Sequence, residues 1–239
     1  MSTITRPDTQ MFGYYGSKWR IVRHYPAPRY DRIVEPFCGS AAYSLWHADG
    51  HDVWINDLDD GVIAAWQWLQ RASPADVLML PRIGPGTNIL ALNLPPGPRA
   101  LLGLWGNMGK FGARSRKVTD RSTIKYRRRD AAKLLPCIRD WTITNGNYRA
   151  LPDIEATWFI DPPYNDRAGR EYRGGRHIDY AHLSEWCRSR RGQVIVCERA
   201  SATWLPFRPL VSVRGWGARS KDAMFFEGLW TNDSGSSDR

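Results

Sequence analysis

Apolar residues in this chain fall into two alternating patterns. Short runs rich in apolar residues, at 32–37, 51–56, 157–160 and 194–198, end at small or acidic residues, and helical spacing takes over after the first two. Unbroken apolar runs bounded by turn formers are what strands covered on both faces require. Residues 43–46 and 61–69 carry helical patterns directly behind the first and second runs, so the chain begins strand, turn, helix, strand, helix. Residues 141–144 predict a further strand, and 210–214 with 223–230 predict a closing hairpin at the end of a mostly parallel sheet. The rhythm breaks across residues 81–140, where Pro, Gly and Asn dominate at first and a basic run interleaved with Trp105, Phe111 and Tyr126 follows. The expected organisation is an α/β domain made of residues 1–80 and 141–230, a smaller region inserted at 81–140, and a polar, Ser-rich disordered tail at 231–239.

Charge sharpens this picture. The formal net charge of the 239-residue chain is +10, which makes a polyanion the expected partner. Much of the excess sits in residues 114–133, where Arg114, Arg116, Lys117, Arg121, Lys125, Arg127, Arg128, Arg129 and Lys133 face only Asp120 and Asp130. The cysteines Cys38, Cys137, Cys187 and Cys197 are scattered, with no paired spacing and no histidine at metal-ligand distance in sequence, so no metal is expected. Lone cysteines in apolar segments act as small buried hydrophobes in a reducing compartment, which points to the cytoplasm. No apolar run is long enough for a membrane helix, and the first ten residues lack a signal-peptide pattern, so no membrane partner is expected.

The most informative residues are Asp161-Pro162-Pro163-Tyr164, placed where the run 157–160 ends. The C-terminal edge of a strand is where open α/β sheets bind ligands. Two prolines fix φ and supply no N–H, so the carboxylate of Asp161 and the carbonyl of Pro162 are free to face a ligand beside an aromatic ring. Such a cluster suits a planar base with an amino group: two acceptors take its N–H bonds while Tyr164 stacks on its face. Upstream, Gly39 lies in a strand-turn-helix break and Asp57 stands at the tip of the next strand, the spacing at which a carboxylate receives ribose hydroxyls. The glycines near Lys18 do not form a phosphate-binding loop, because the spacing is short and no apolar strand precedes them.

Asp161 to Tyr164 resembles the DPPY motif of the amino-methyltransferases, and the order of motifs along nearly the whole chain resembles the Dam-like D12 class of N6-adenine-specific DNA methyltransferases. The resemblance implies an α/β, Rossmann-like S-adenosylmethionine-dependent methyltransferase fold, with a mostly parallel seven-stranded sheet, a terminal antiparallel hairpin and an inserted target-recognition domain. It implies catalysis by Asp161, Pro162, Pro163 and Tyr164. It also implies cofactor binding by Tyr14, Tyr15 and Lys18 of the N-terminal motif, by Glu35, Pro36, Phe37, Cys38, Gly39 and Ser40 of the cofactor loop, and by Asp57, Asn147, Tyr148 and Asp161. Ala41 stands in place of the family's second glycine; its methyl group restricts φ, so either the loop uses negative φ there or the cofactor is held less tightly. Asn147 stands where an acid is commoner, and its local sequence reads equally as an Asn-Gly turn.

Double-stranded DNA is the implied partner. Residues 103–114 resemble the family's recognition segment, and Lys110, Arg114, Arg116, Lys117, Arg121, Lys125, Arg127, Arg128 and Arg129 are the expected phosphate and groove contacts. Residues 166–180 read as a mobile loop whose Arg170 and Arg173 would hold phosphates flanking an extruded nucleotide. The expected reaction is methyl transfer to N6 of a flipped adenine. Methylation of cytosine N4 or RNA, and a DNA-binding protein that has lost turnover, are the alternatives. Oligomeric state stays open between a monomer on DNA and a weak dimer.

Overall fold

The computed structural model describes residues 8–107, 118, 124–214 and 224–235. Its seven strands are β1 (Arg32–Glu35), β2 (Asp52–Asp57), β3 (Thr142–Asn145), β4 (Ala156–Ile160), β5 (Gly192–Arg199), β6 (Arg208–Arg214) and β7 (Met224–Thr231). They form one sheet in the order β3-β2-β1-β4-β5-β7-β6. The first five are parallel, and β7 runs antiparallel to both β5 and β6. This is the Rossmann-like methyltransferase arrangement that the resemblance implied, hairpin included.

Neighbouring residues on the central strands point to opposite faces, as the pleat demands. Ile33, Phe159, Ile195 and Cys197 pack into one core, against Trp66, Leu69, Leu101 and Trp105 of the helices α2 (Asp60–Arg71) and α4 (Pro96–Gly106). Val34, Trp158, Ile160, Val194 and Val196 pack into the other, against Leu183 and Trp186 of the helix α6 (Tyr180–Ser189). Burial on both faces is why these strands read as unbroken apolar runs. Helix α2 starts where Asp59 accepts from the Gly61 N–H, and α6 where Asp179 accepts from the His182 N–H at 3.1 Å.

Two features of the structure bear on the expected organisation. The described part of residues 81–140 does not build a core of its own. Gly97 of α4 meets α2 so closely that a Cβ there would lie 2.4 Å from the Trp68 Cβ, and the indole N–H of Trp105 donates to the Met11 carbonyl at 2.9 Å. With Leu101, Leu104 and Trp105 sharing one core with Phe12 and Trp66, α4 is a layer of the main body. The start of the expected disordered tail is also structured. Thr231 ends β7, and Asn232 accepts from Val194 N–H (3.0 Å) and donates to the Gly192 carbonyl (2.8 Å), satisfying groups at the edge of β5. Among the described residues no helix is long and apolar enough to cross a membrane.

Candidate active site

Strand order reverses between β1 and β4, and the loops leaving both strands meet at that switch point. The loop after β1 is held from several sides. Asp57 Oδ2 at the tip of β2 accepts from the Gly39 N–H at 2.9 Å, and the Trp66 indole donates to the Gly39 carbonyl at 2.9 Å. The buried Asn56 amide donates to the Pro36 and Gly146 carbonyls at 3.1 and 2.9 Å, tying this loop to the one after β3. Gly39 has φ +45°, and a Cβ there would sit 2.8 Å from the Tyr14 ring. Ala41 is fully buried with φ +46°, so the alternative of negative φ at that position is overturned. A left-handed alanine costs about 1 kcal/mol, and the tight surroundings of the loop hold it there.

Burial governs the acids of this loop. It pushes Asp57 up from 3.8 to about 6, opposed by the N–H bonds from Asp59 and Gly39. It pushes Glu35, 2 % exposed, from 4.5 to about 8, opposed by its bond from Ser44 N–H at 2.6 Å in the first turn of α1 (Ala42–Trp46). Because the folded-state value of Glu35 lies above the unfolded one, its contribution to stability is complete below about 4.5 and is lost as pH rises through about 8. Between about pH 6.5 and 8.5 the wild-type chain is therefore expected to lose up to about 2 kcal/mol that Glu35→Gln does not lose, read from paired thermal melts. Parallel pH dependences of the two proteins would refute the assignment.

Asp161 directly follows β4 and faces the N-terminal segment. Lys18 Nζ lies 2.7 Å from both Asp161 oxygens, donates to the Gly16 carbonyl at 2.9 Å, and stands 3.8 Å from Glu227 of β7. Burial works against the charge on Lys18, but Asp161 and Glu227 outweigh it and hold the ammonium protonated. Burial raises Asp161 to about 6 although Lys18 pulls the other way. Tyr164 hooks its hydroxyl onto Glu227, which also accepts from the Tyr25 hydroxyl at 2.8 Å, and Lys18 Nζ lies 4.8 Å from the Tyr164 ring centre. The Pro163 carbonyl accepts from the Tyr180 hydroxyl at 2.6 Å, whereas the Pro162 carbonyl has no donor among the described residues.

One cavity of about 530 Å³ joins these parts, and every cofactor and catalytic residue named from the motifs lines it. That volume suits a nucleoside-sized ligand. Phe37 and Tyr148 form an aromatic wall with ring centres 5.2 Å apart, and the Tyr148 hydroxyl lies 3.0 Å from His182 Nδ1. Asn147 Oδ1 caps the short turn behind it by accepting from Arg149 N–H at 3.0 Å. An apolar and aromatic slot with an acid at the second strand tip has the chemistry to hold S-adenosylmethionine. Lys18, one of the residues named for the cofactor, pairs with Asp161 and lines the same cavity.

The segment expected to be a mobile loop is a strap folded over this cavity. It contains two short turns, Gly169–Glu171 and Gly175–His177, and the Tyr172 hydroxyl donates to the Tyr15 carbonyl at 2.5 Å. Arg173 pairs with Asp60 at the start of α2, so its charge is taken up within the protein, while Arg170 stays exposed. Of the basic run, Lys110, Arg114, Arg116, Lys117 and Arg121 lie outside the described residues, as does the side chain of Lys125. Arg128 donates to the Leu80 carbonyl at 2.7 Å, joining α5 (Ile124–Leu134) to the end of α3 (Pro74–Met79); Arg127 is half-buried and Arg129 exposed. Glu227, Tyr25 and Tyr172 escaped the sequence reading. An acid between Phe225-Phe226 and Gly228-Leu229-Trp230 was the available signal for Glu227.

Residues 14–82 match the model of the family described as D12 class N6 adenine-specific DNA methyltransferase, the family that the motifs resemble. The matched stretch takes in Lys18, the loop after β1 and Asp57, and it ends well before Asp161. No curated protein matches the chain.

Proposed function

We propose that this chain transfers a methyl group from S-adenosylmethionine to the exocyclic N6 of an adenine turned out of duplex DNA. The observation that carries the proposal is the convergence of Asp161 and the Pro162 carbonyl, which has no donor among the described residues, on the same cavity as the loop after β1. When bound, S-adenosylmethionine supplies an electrophilic methyl group on a sulfonium. The protein's part is to make a weak nucleophile reactive. An adenine amino group has its lone pair spread into the ring; two acceptors gripping its two N–H bonds draw the nitrogen towards tetrahedral geometry and free that pair for in-line attack.

Asp161 can serve while paired with Lys18, because an ionised carboxylate has about four acceptor positions. Lys18 then opposes the burial that would protonate Asp161. Tyr164, anchored by Glu227, presents an aromatic face whose stacking offsets part of the few kcal/mol needed to extrude the base. Exposed arginines of α5 and the strap, Arg129 and Arg170, are suited to phosphates.

Tritium transfer from labelled S-adenosylmethionine to duplex DNA tests this reading, with base identity read after hydrolysis. Label on adenine N6 is the expected result. Label on cytosine or RNA would redirect the acceptor, and salt-sensitive DNA binding without label would leave a binding module. The rate should rise with pH through about 6, since below that value Asp161 carries a proton and offers a donor where an acceptor is needed. A rate independent of pH from about 5 to 8, with chemistry limiting, would remove Asp161 from that role.

A further inference from the structure

Glu227 comes from the far end of the chain, on the antiparallel strand β7, yet it reaches the centre of the cavity. It is 2 % exposed and accepts from Tyr25 and Tyr164 hydroxyls. Lys18 Nζ stands between it, at 3.8 Å, and Asp161, at 2.7 Å. One buried ammonium thus faces two carboxylates. Of the arginines that line the cavity, Arg173 is paired with Asp60 and Arg199 with Asp166 at 2.8 Å, and Arg20 is exposed to solvent at the rim, outside the buried cluster. Neutral hydroxyls orient Glu227 but do not cancel its charge. Asp161 and Glu227 share that one ammonium, so the pair is only partly neutralised, and a site built this way favours a ligand that brings a positive charge to it.

We propose that Glu227 is a specificity-determining residue that biases the cavity towards a cationic, sulfonium-bearing ligand over its neutral thioether counterpart. The inference rests on the methyl-transfer reading and deepens it. It assigns the fourth member of the Lys18, Asp161, Tyr164 cluster a role in exchange as well as in binding: donor and spent product differ by one methyl group and one positive charge, and only the donor is matched by the extra carboxylate. Loss of that charge after transfer weakens the hold on the product.

Isothermal titration with S-adenosylmethionine and with S-adenosylhomocysteine, on wild type and Glu227→Gln, tests it. The amide keeps the shape and an acceptor oxygen for the tyrosines while removing the charge. The expected result is a Kd for the sulfonium about tenfold weaker and a Kd for the thioether changed by less than about threefold, the scale of one unit charge removed at short range in a partly screened site. Glu227→Asp, which keeps the charge, should restore the wild-type ratio. Glu227→Ala, which opens room for water beside the two hydroxyls, should reproduce the selective loss if Glu227→Gln does not fold. Equal weakening of both ligands in the charge-removing variants would mark Glu227 as structural only, and an unchanged ratio would equally overturn the proposal. If wild type binds neither ligand, the methyl-transfer reading itself falls, which is a different failure from binding both without discrimination.

Discussion

Asp161→Asn is expected to slow single-turnover methyl transfer about a thousandfold while leaving a folded protein. The substitution keeps size and one acceptor oxygen, but it removes the charge that makes the remaining lone pairs strong acceptors for the amine. It also supplies an amide N–H where an acceptor is required, and a misplaced donor next to the reacting nitrogen works against localising its lone pair. Loss of one preorganised polar contact to a transition state typically costs about a hundredfold to a thousandfold. The upper end applies here because Lys18 is released at the same time. Breaking a fully buried ion pair costs about 3–5 kcal/mol, but Asp161 is a fifth exposed and Glu227 stands 3.8 Å from Lys18 as a second partner. A stability loss of about 1–2 kcal/mol is therefore expected, visible as a lowered melting temperature with an unchanged circular dichroism spectrum. Transfer within tenfold of wild type would show that the turn after β4 is not where the amine is gripped.

The fold was legible because its strands are buried on both faces. The run at 157–160 and strand β4, or the run at 194–198 and strand β5, differ only at their ends, since an apolar run against two helical layers has little freedom to be anything else. Helices α3 and α6 were less visible. Helix α3 is six residues long with Val77 buried but Leu78 and Met79 exposed, so it lacks a periodic face. Helix α6 follows an Arg- and Gly-rich stretch whose composition masks its Asp179 cap. The packing of α4 into the main body was hidden for a related reason. Proline and glycine there signal irregular backbone, and in α4 the same small residue, Gly97, is what lets the helix sink against Trp68.

The sequence brought out residues of the cavity where a motif lies at a strand end, as at Asp57 and Asp161. It did not do so where chemistry depends on what tertiary structure brings alongside. Nothing local to Lys18 says that its partner is Asp161, 143 positions away, or that Glu227 would complete the cluster from β7. Ala41 shows the same limit: an alanine argues for negative φ, and the loop overrides it because Gly39, Asp57 and Trp66 already fix the backbone on its N-terminal side.

Gly169→Ala is expected to weaken S-adenosylmethionine binding about a hundredfold or more, with the rest of the protein intact. A Cβ on Gly169 would stand 1.8 Å from the Tyr164 carbonyl oxygen and 2.8 Å from the Tyr164 carbonyl carbon. These are backbone atoms of the turn after β4, so no side-chain rotation relieves the overlap, and either the turn or the strap must move. The turn is the stiffer of the two, with paired prolines and Tyr164 hooked to Glu227. The strap is held to the body at its ends and by polar side chains near its middle: Arg199 to Asp166 at 2.8 Å, the Tyr180 hydroxyl to the Pro163 carbonyl at 2.6 Å, the Tyr172 hydroxyl to Tyr15, and the exposed Arg173–Asp60 pair, so its middle is the part free to lift. Lifting the strap takes the Tyr172 ring away from Tyr14, whose ring centre is 5.8 Å distant and which itself covers Gly39. The cavity then opens to water on the side where a ligand would be enclosed, which weakens both apolar contact and every charge interaction within it. Gly50→Ala is the matched comparison: Gly50 has φ +77° with nothing within 4 Å, so it carries backbone strain of about 1 kcal/mol and should leave binding unchanged. Titration measures the affinities, and limited proteolysis within residues 166–180 reports the strap. If Gly169→Ala and Gly50→Ala bind the ligand equally well, the strap does not close the site and the overlap is absorbed elsewhere.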